Sequence, residues 1–172
     1  MSTASHALAH LGVAPSASLT RVTGEHVAAL TAFLDEADLT LSGLDAPSVR
    51  LWADRGPDGT ITGSTGYELS VDRRHALIRS VAVSPAARRA GYGSALARFA
   101  LARAAEEGAE HAWLFSRRSG PFWQKLGFVA ADRDAMATAL ADTHQVRLFA
   151  STGQLAREVA WSRPLTGGRG DG

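Results

Sequence analysis

The chain has no cysteine in its 172 residues. That excludes disulfides, thiolate metal sites and a cysteine nucleophile. Tyrosine is scarce: Tyr67 and Tyr92 are the only two, so few side chains could offer a phenolic proton. No apolar run approaches a membrane span, and the start lacks a basic segment followed by an apolar block. Neither a transmembrane helix nor a secretion signal is therefore expected, and a cytoplasmic location is the default. Charge of one sign is not in excess either. Eighteen Lys and Arg against 17 Asp and Glu leave +1, which argues against broad nucleic-acid or membrane-surface binding. The six histidines are scattered, with His6 and His10 in the small, polar N-terminal stretch, so no metal site is expected.

What the chain does have is enough apolar content, 45%, for one sizeable core. Composition divides it into a flexible arm over 1–17, a single domain over 18–165 and a flexible glycine-rich tail over 166–172. Hydrophobic patterning predicts a short strand near Leu19–Val22, a helix over Glu25–Asp35 and a loop or short helix over Glu36–Pro47. Strands follow at Val49–Ala53, Ile61–Leu69 and Leu77–Val83, then a helix at Ser94–Glu107 and a strand at His111–Ser116. Beyond Phe128 the pattern predicts a helix over Arg133–Thr143 and a last strand over Leu155–Ser162. Strands interleaved with helices make a mixed α/β sheet.

The stretch Leu77–Ser94, LIRSVAVSPAARRAGYGS, carries the clearest chemistry. Its β-branched apolar start suits a strand buried on both faces, and Pro85 ends the ladder. Gly91 and Gly93 permit conformations that a Cβ forbids and let a ligand approach the backbone amides. The following helix directs its free N–H groups into that turn, which makes an anion site, most often for phosphate. A nucleotide P-loop needs a lysine after the last glycine, and none follows Gly93. A dinucleotide fingerprint needs a third glycine where Leu96 stands. Arg88-Arg89-Ala90-Gly91-Tyr92-Gly93 instead matches Arg/Gln-x-x-Gly-x-Gly/Ala. Here the chain resembles the GNAT family of N-acetyltransferases.

A second segment agrees. Ser119-Gly120-Pro121-Phe122-Trp123-Gln124-Lys125-Leu126-Gly127-Phe128 reads as a short helix with Ser119 as N-cap and Gly127 ending it, and the family carries a similar aromatic–aromatic–x–x–x–Gly–Phe segment. Read without the resemblance, Phe122 and Trp123 are core aromatics. The resemblance covers about Leu19 to Leu165. It implies the GNAT fold, a mixed central sheet of about six to seven strands flanked by helices. It also implies acetyl-CoA as co-substrate. The cofactor-binding positions it assigns are Val81, Ala82 and Val83 on the strand, Arg88, Arg89, Ala90, Gly91, Tyr92, Gly93 and Ser94 at the turn, and Ser119, Phe122 and Trp123 beyond. A weaker resemblance, to acetyltransferases found with arsenic-resistance genes, rests on Ile78–Val83, Asp132-Arg133, Ala139-Leu140 and Arg163-Pro164-Leu165. Those relatives acetylate the α-amine of toxins such as arsinothricin or phosphinothricin.

Acyl transfer to an amine sets its own demands. The amine must lose a proton, the oxyanion needs a donor, and the departing thiolate needs a proton. The resemblance makes the backbone N–H of Val81 or a neighbour the oxyanion donor. Many family members have a tyrosine where this chain has Phe122 or Trp123, so the proton would come from water or through Ser116 or Ser119. The nearest candidate base is Glu68. A two-residue turn at Arg73-Arg74 would set Asp72 against His75 and Glu68 against Arg79, both side chains on one face. Glu68 could then hold a substrate ammonium while Arg79 grips its carboxylate in bidentate fashion, or the two could form a structural salt bridge. The function read from the sequence is acetyl transfer to the primary amine of a small molecule, an amino acid or toxic analogue among the candidates. The alternatives are a protein or peptide N-acetyltransferase and a non-catalytic coenzyme A-binding regulatory module. No nucleic-acid or membrane partner is expected, and a homodimer is left open.

Overall fold

The computed structural model describes residues 18–165. The arm expected at 1–17, with His6 and His10, and the tail at 166–172 lie outside the described residues. Seven strands form one sheet: β1 (Thr20–Arg21), β2 (Val49–Arg55), β3 (Ile61–Leu69), β4 (His75–Val83), β5 (His111–Phe115), β6 (Val129–Ala131) and β7 (Ala160–Pro164). Their order is β1-β2-β3-β4-β5-β7-β6, and every pair is antiparallel except β4 with β5. The parallel pair follows from the crossover helix between them, which returns the chain to the starting edge of the sheet. The helices are α1 (Val27–Glu36), α2 (Tyr92–Glu106), α3 (Gly120–Lys125), α4 (Arg133–Ala139) and α5 (His144–Thr152). Among the described residues no helix is long and apolar enough to cross a membrane.

β4 is buried on both faces, as its unbroken apolar run predicts. Ala76 and Ile78 pack with Ala97, Ala100 and Ala104 of α2, whose small side chains let the helix lie close to the sheet. Leu77 points the other way, into a cluster with Met136 of α4, Leu140 just beyond its end and Val146 of α5. Leu30 and Leu34 of α1 cover Val49 and Leu51 on β2.

Three expectations need correcting. The β3–β4 connection is wider than a two-residue turn: Ser70 N–H bonds His75 O at 2.9 Å, Leu69 faces Ala76 and Glu68 faces Leu77. Asp72 causes this by accepting from Ser70 Oγ at 2.6 Å and Arg74 N–H at 3.0 Å, while Arg73 adopts φ 63°. A register slip of two keeps every side chain on its expected face, so Glu68 and Arg79 still share one. The second correction is α5, for which the sequence pattern predicts no element. The third is the last strand, which starts at Ala160 because Gly153 (φ 78°) ends α5 and residues 154–157 form a 3-10 turn.

One irregularity shapes the molecule. Gly66 pairs with Arg79, yet Ser64 pairs with Ala82, so β4 carries one extra residue. Ser80 sits at this bulge with φ 62° and sends its carbonyl to Ser64 Oγ at 2.6 Å. β4 pairs with β5 only over His75–Leu77. Beyond it the two strands part, and β5 continues against β7 alone.

Candidate active site

The parting of β4 and β5 leaves a cleft of about 240 Å³. Ladder alternation decides what it contains. Ser84 N–H bonds Thr62 O at 2.8 Å and Ala82 pairs with Ser64, so these two residues turn their backbone groups toward β3. Val81 and Val83 must then turn theirs the opposite way, into the opening that β5 has vacated. The expected strand residues Val81, Ala82 and Val83 all line this cleft.

The glycine turn closes one end. Gly91 precedes α2 with φ 81°, and the first helical bond is Ala95 N–H to Gly91 O at 3.0 Å. The amides of Gly93 and Ser94 therefore stand ahead of the helix ladder, at its positive dipole end. Gly93 lines the cleft, and a Cβ there would lie 3.6 Å from the Phe122 ring. Arg88, Arg89, Ala90 and Gly91 are exposed at the turn and do not line the cleft. Phe122 and Trp123 do line it, and Trp123 is also core, edge-on to Phe128 at 5.4 Å. Trp123 is thus a core aromatic, and Phe122 packs partly buried against the same cluster.

Tyr92 is placed differently from its expected role. Its side chain is buried under α2, and its hydroxyl donates to Asp54 Oδ2 at 2.7 Å and lies 3.1 Å from Thr62 Oγ1. Even its amide is occupied, by Arg89 O at 3.2 Å. The spacing Tyr92, Leu96, Ala100 marks a core-facing helical stripe, a signal the turn motif overshadowed. Burial, helped by Asp54, pushes the Tyr92 hydroxyl up to about 12. Tyr67 bonds Glu107, and burial raises its hydroxyl as well. Both phenols are thus held more strongly protonated in the folded than in the unfolded chain. Stability should be intact below pH ~10 and fall as pH rises toward 12. Tyr92→Phe should lower stability at neutral pH by about 1 kcal/mol yet flatten that alkaline fall, read by denaturant unfolding from pH 8 to 11.5. An unchanged alkaline slope would refute the assignment.

Ser116 and Ser119 both border the cleft. Ser116 Oγ accepts Ser119 N–H at 3.0 Å, which leaves its own proton free to donate. Ser119 stands at the start of α3 as expected but makes no side-chain cap bond.

Glu68 and Arg79 do meet, with side chains 1% exposed and Oε2 3.5 Å from a guanidinium nitrogen. Arg79 lines the cleft, and Glu68 lies behind it. Glu68 Oε1 accepts from His144 N–H and faces His144 Nδ1, each at 2.7 Å, with Ser48 Oγ at 3.5 Å. Arg79 gives its second terminal nitrogen to Thr40 O at 3.1 Å, so the bidentate fork is not free for a ligand. Only Nε remains without a partner. Burial draws the guanidinium's proton affinity down, and Glu68 opposes that. The sequence reading missed the residues opposite: Leu39 and Thr40 from the loop after α1, and Gln145 of α5, whose Nε2 donates to Thr40 Oγ1 at 2.9 Å.

A parted strand pair with inward-facing backbone groups, ending at free amides of a glycine turn, fits an extended ligand that carries phosphate. The family model for the acetyltransferase (GNAT) family matches residues 21–128. The chain belongs to this family. GNAT membership makes it an acyltransferase with acetyl-CoA as co-substrate. The GNAT fold is equally clear in solved structures. A GNAT acetyltransferase from Staphylococcus aureus matches with TM-score 0.63 at 12% identity, covering 86% of this chain and 99% of that one. N-acetylglutamate synthase from Neisseria gonorrhoeae, complexed with coenzyme A and N-acetylglutamate, matches at TM-score 0.60 and 19% identity over 86% of this chain. The chain spans only 35% of that synthase's length. An aminoglycoside 6'-N-acetyltransferase complexed with coenzyme A matches at TM-score 0.61 and 10% identity, covering 89% and 99%. No curated protein sequence matches the chain.

Proposed function

We propose that this GNAT enzyme acetylates the primary amine of a small molecule, an amino acid or a toxic amino-acid analogue. The observation that carries this is the tie across the acceptor side. Thr40 is bound both to Arg79, through its carbonyl, and to Gln145, through its hydroxyl. A loop and a helix thus meet over the cleft, which suits a small acceptor better than a peptide needing an open groove. Arg79 Nε, buried and unpartnered, supports recognition of an acceptor's carboxylate by a single hydrogen bond, with Glu68 orienting Arg79 from behind. The N-acetylglutamate in the Neisseria synthase is an acetylated amino acid, which agrees with this class of acceptor.

Acetyl-CoA, held by the backbone of Val81 and Val83 and the amides at Gly93 and Ser94, supplies the thioester carbonyl. The Val81 N–H is the donor this reading assigns to the oxyanion. Ser116, already accepting from Ser119, relays a proton from water to the departing sulfur. Overall the amine nitrogen bonds the acyl carbon, the carbon–sulfur bond breaks, water takes the amine proton and the thiolate gains one. The test is thiol release from acetyl-CoA with free L-amino acids, phosphinothricin and short peptides. Turnover of one or more free amino acids or phosphinothricin, exceeding that of peptides, is expected. Turnover of peptides alone would overturn the reading.

A further inference from the structure

The acceptor amine must reach the thioester where the cleft meets a second hollow of about 340 Å³ beside it. That hollow runs between Asp38, the Arg117-Arg118 loop, Phe149 of α5 and Glu158. The residues that border both spaces mark the junction: Leu39, Thr40, Phe115, Ser116, Ser119 and Gln145. Leu39 and Phe115 offer no polar side chain, Thr40 Oγ1 is taken by Gln145, Ser116 Oγ accepts from Ser119, and Ser119 is exposed, so water serves its hydroxyl. Gln145 is different. It is 9% exposed, and its Oε1 is a buried acceptor without a partner. A buried carbonyl oxygen with nothing bonded to it is unfavourable, and an N–H arriving at the junction removes the penalty.

We propose that Gln145 Oε1 accepts a hydrogen bond from the attacking amine and turns the nitrogen lone pair toward the thioester carbonyl. The inference rests on the small-amine reading above but fixes a residue that reading leaves open. A neutral primary amine has two N–H donors and one lone pair. If an N–H is held by Gln145, the lone pair is left to attack. A carboxamide suits this task because it accepts the N–H without carrying a charge. A carboxylate in its place would favour the ammonium form, which cannot attack. Thr40 fixes the orientation by holding Nε2, so the oxygen is the end that remains. The charged groups lining the two spaces are Asp38 after α1, Arg79 on β4, Arg117 and Arg118 after β5 and Glu158 before β7, with Glu68 of β3 against Arg79 and His144 of α5 against Glu68.

The test uses glycinamide, a minimal primary amine, as the acceptor probe. Gln145→Met should raise the glycinamide KM about tenfold or more while leaving the acetyl-CoA KM within about twofold. Gln145→Glu should move the acid limb of the kcat profile for glycinamide upward by about one pH unit, since kcat reports ionisation in the bound complex. Calorimetry with glycinamide, added to enzyme saturated with coenzyme A, gives a readout independent of turnover. Weaker binding by Gln145→Met than by the parent supports the proposal. Identical behaviour of the two, whether both bind or neither does, overturns it. A fall in both substrates' kinetics with an unmoved pH midpoint also overturns it, since that marks a purely structural residue. Failure of the small-amino-acid reading shows separately, as absent amino-acid turnover alongside an intact Gln145 effect on glycinamide.

Discussion

Arg79→Met should lose about 3–5 kcal/mol of stability, because it leaves the Glu68 carboxylate buried without its cation. The melting temperature should fall by roughly 10 °C or more in a chain of this size. Glu68 lies with its side chain 1% exposed, so water does not replace the lost partner. Its remaining contacts with His144 and Ser48 are too few to hold an isolated charge. Glu68→Gln in the Arg79→Met background should recover most of the loss. The glutamine keeps an oxygen for the His144 N–H, and no charge is stranded. Urea unfolding of the parent, both single variants and the double variant closes the cycle, with a coupling energy of about 2 kcal/mol or more expected between the two sites. Additive effects would mean that the pair is held by water and does not tie β3, β4 and α5 together. Acetyl-CoA affinity of the folded double variant should stay near that of the parent, since Val81, Val83 and the glycine turn are untouched.

Gly91→Val should weaken acetyl-CoA binding by about tenfold to a hundredfold and change global stability far less. Gly91 has φ 81° with open space around the position of a Cβ, so bulk is not the obstacle. Backbone conformation is. A β-branched residue in the left-handed region is strained by about 1–3 kcal/mol. The free protein can relieve that strain by letting an exposed turn drift. Binding then has to restore the geometry that aims the amides of Gly93 and Ser94, and the restored strain appears as lost affinity at about 1.4 kcal/mol per factor of ten. Gly91→Asn should be the mildest change, Gly91→Ala intermediate and Gly91→Val the most severe. Calorimetric titration with acetyl-CoA, with NAD as the non-cognate control, reads the series. Parental affinity in Gly91→Val would mean that the turn does not hold the phosphates.

Much of this was legible in the chain because it depends on neighbours in sequence. Pro85 stops a strand, glycines at 91 and 93 shape the turn, and an alanine-rich helix follows; each is a local steric or hydrogen-bonding fact. The sharing of one face by Glu68 and Arg79 was legible too, since strand parity survives a two-residue error in register. The error itself came from Asp72, whose side-chain bonds widen the loop in a way that counting residues does not reveal. Tyr92 was assigned to the turn because the motif ends there. The helical spacing to Leu96 was the better guide, and it sends the ring into the core.

The sequence by itself determined the strand–turn–helix unit, because short-range geometry suffices for it, and the motif's resemblance supplied the family and its co-substrate. Only the tertiary structure decided which distant residues border the cleft beside Arg79. The bulge at Ser80 arises from how β4 registers against β3, and β4 itself carries no glycine to mark it. α5 shows too narrow an apolar stripe, Val146 and Phe149, to announce itself, and it forms where β4 and β5 leave a face to cover. Gln145 and Thr40 are 105 residues apart, and their hydrogen bond exists only because the fold brings a loop and a helix together over Arg79. Such contacts depend on packing between distant segments, which no local pattern encodes.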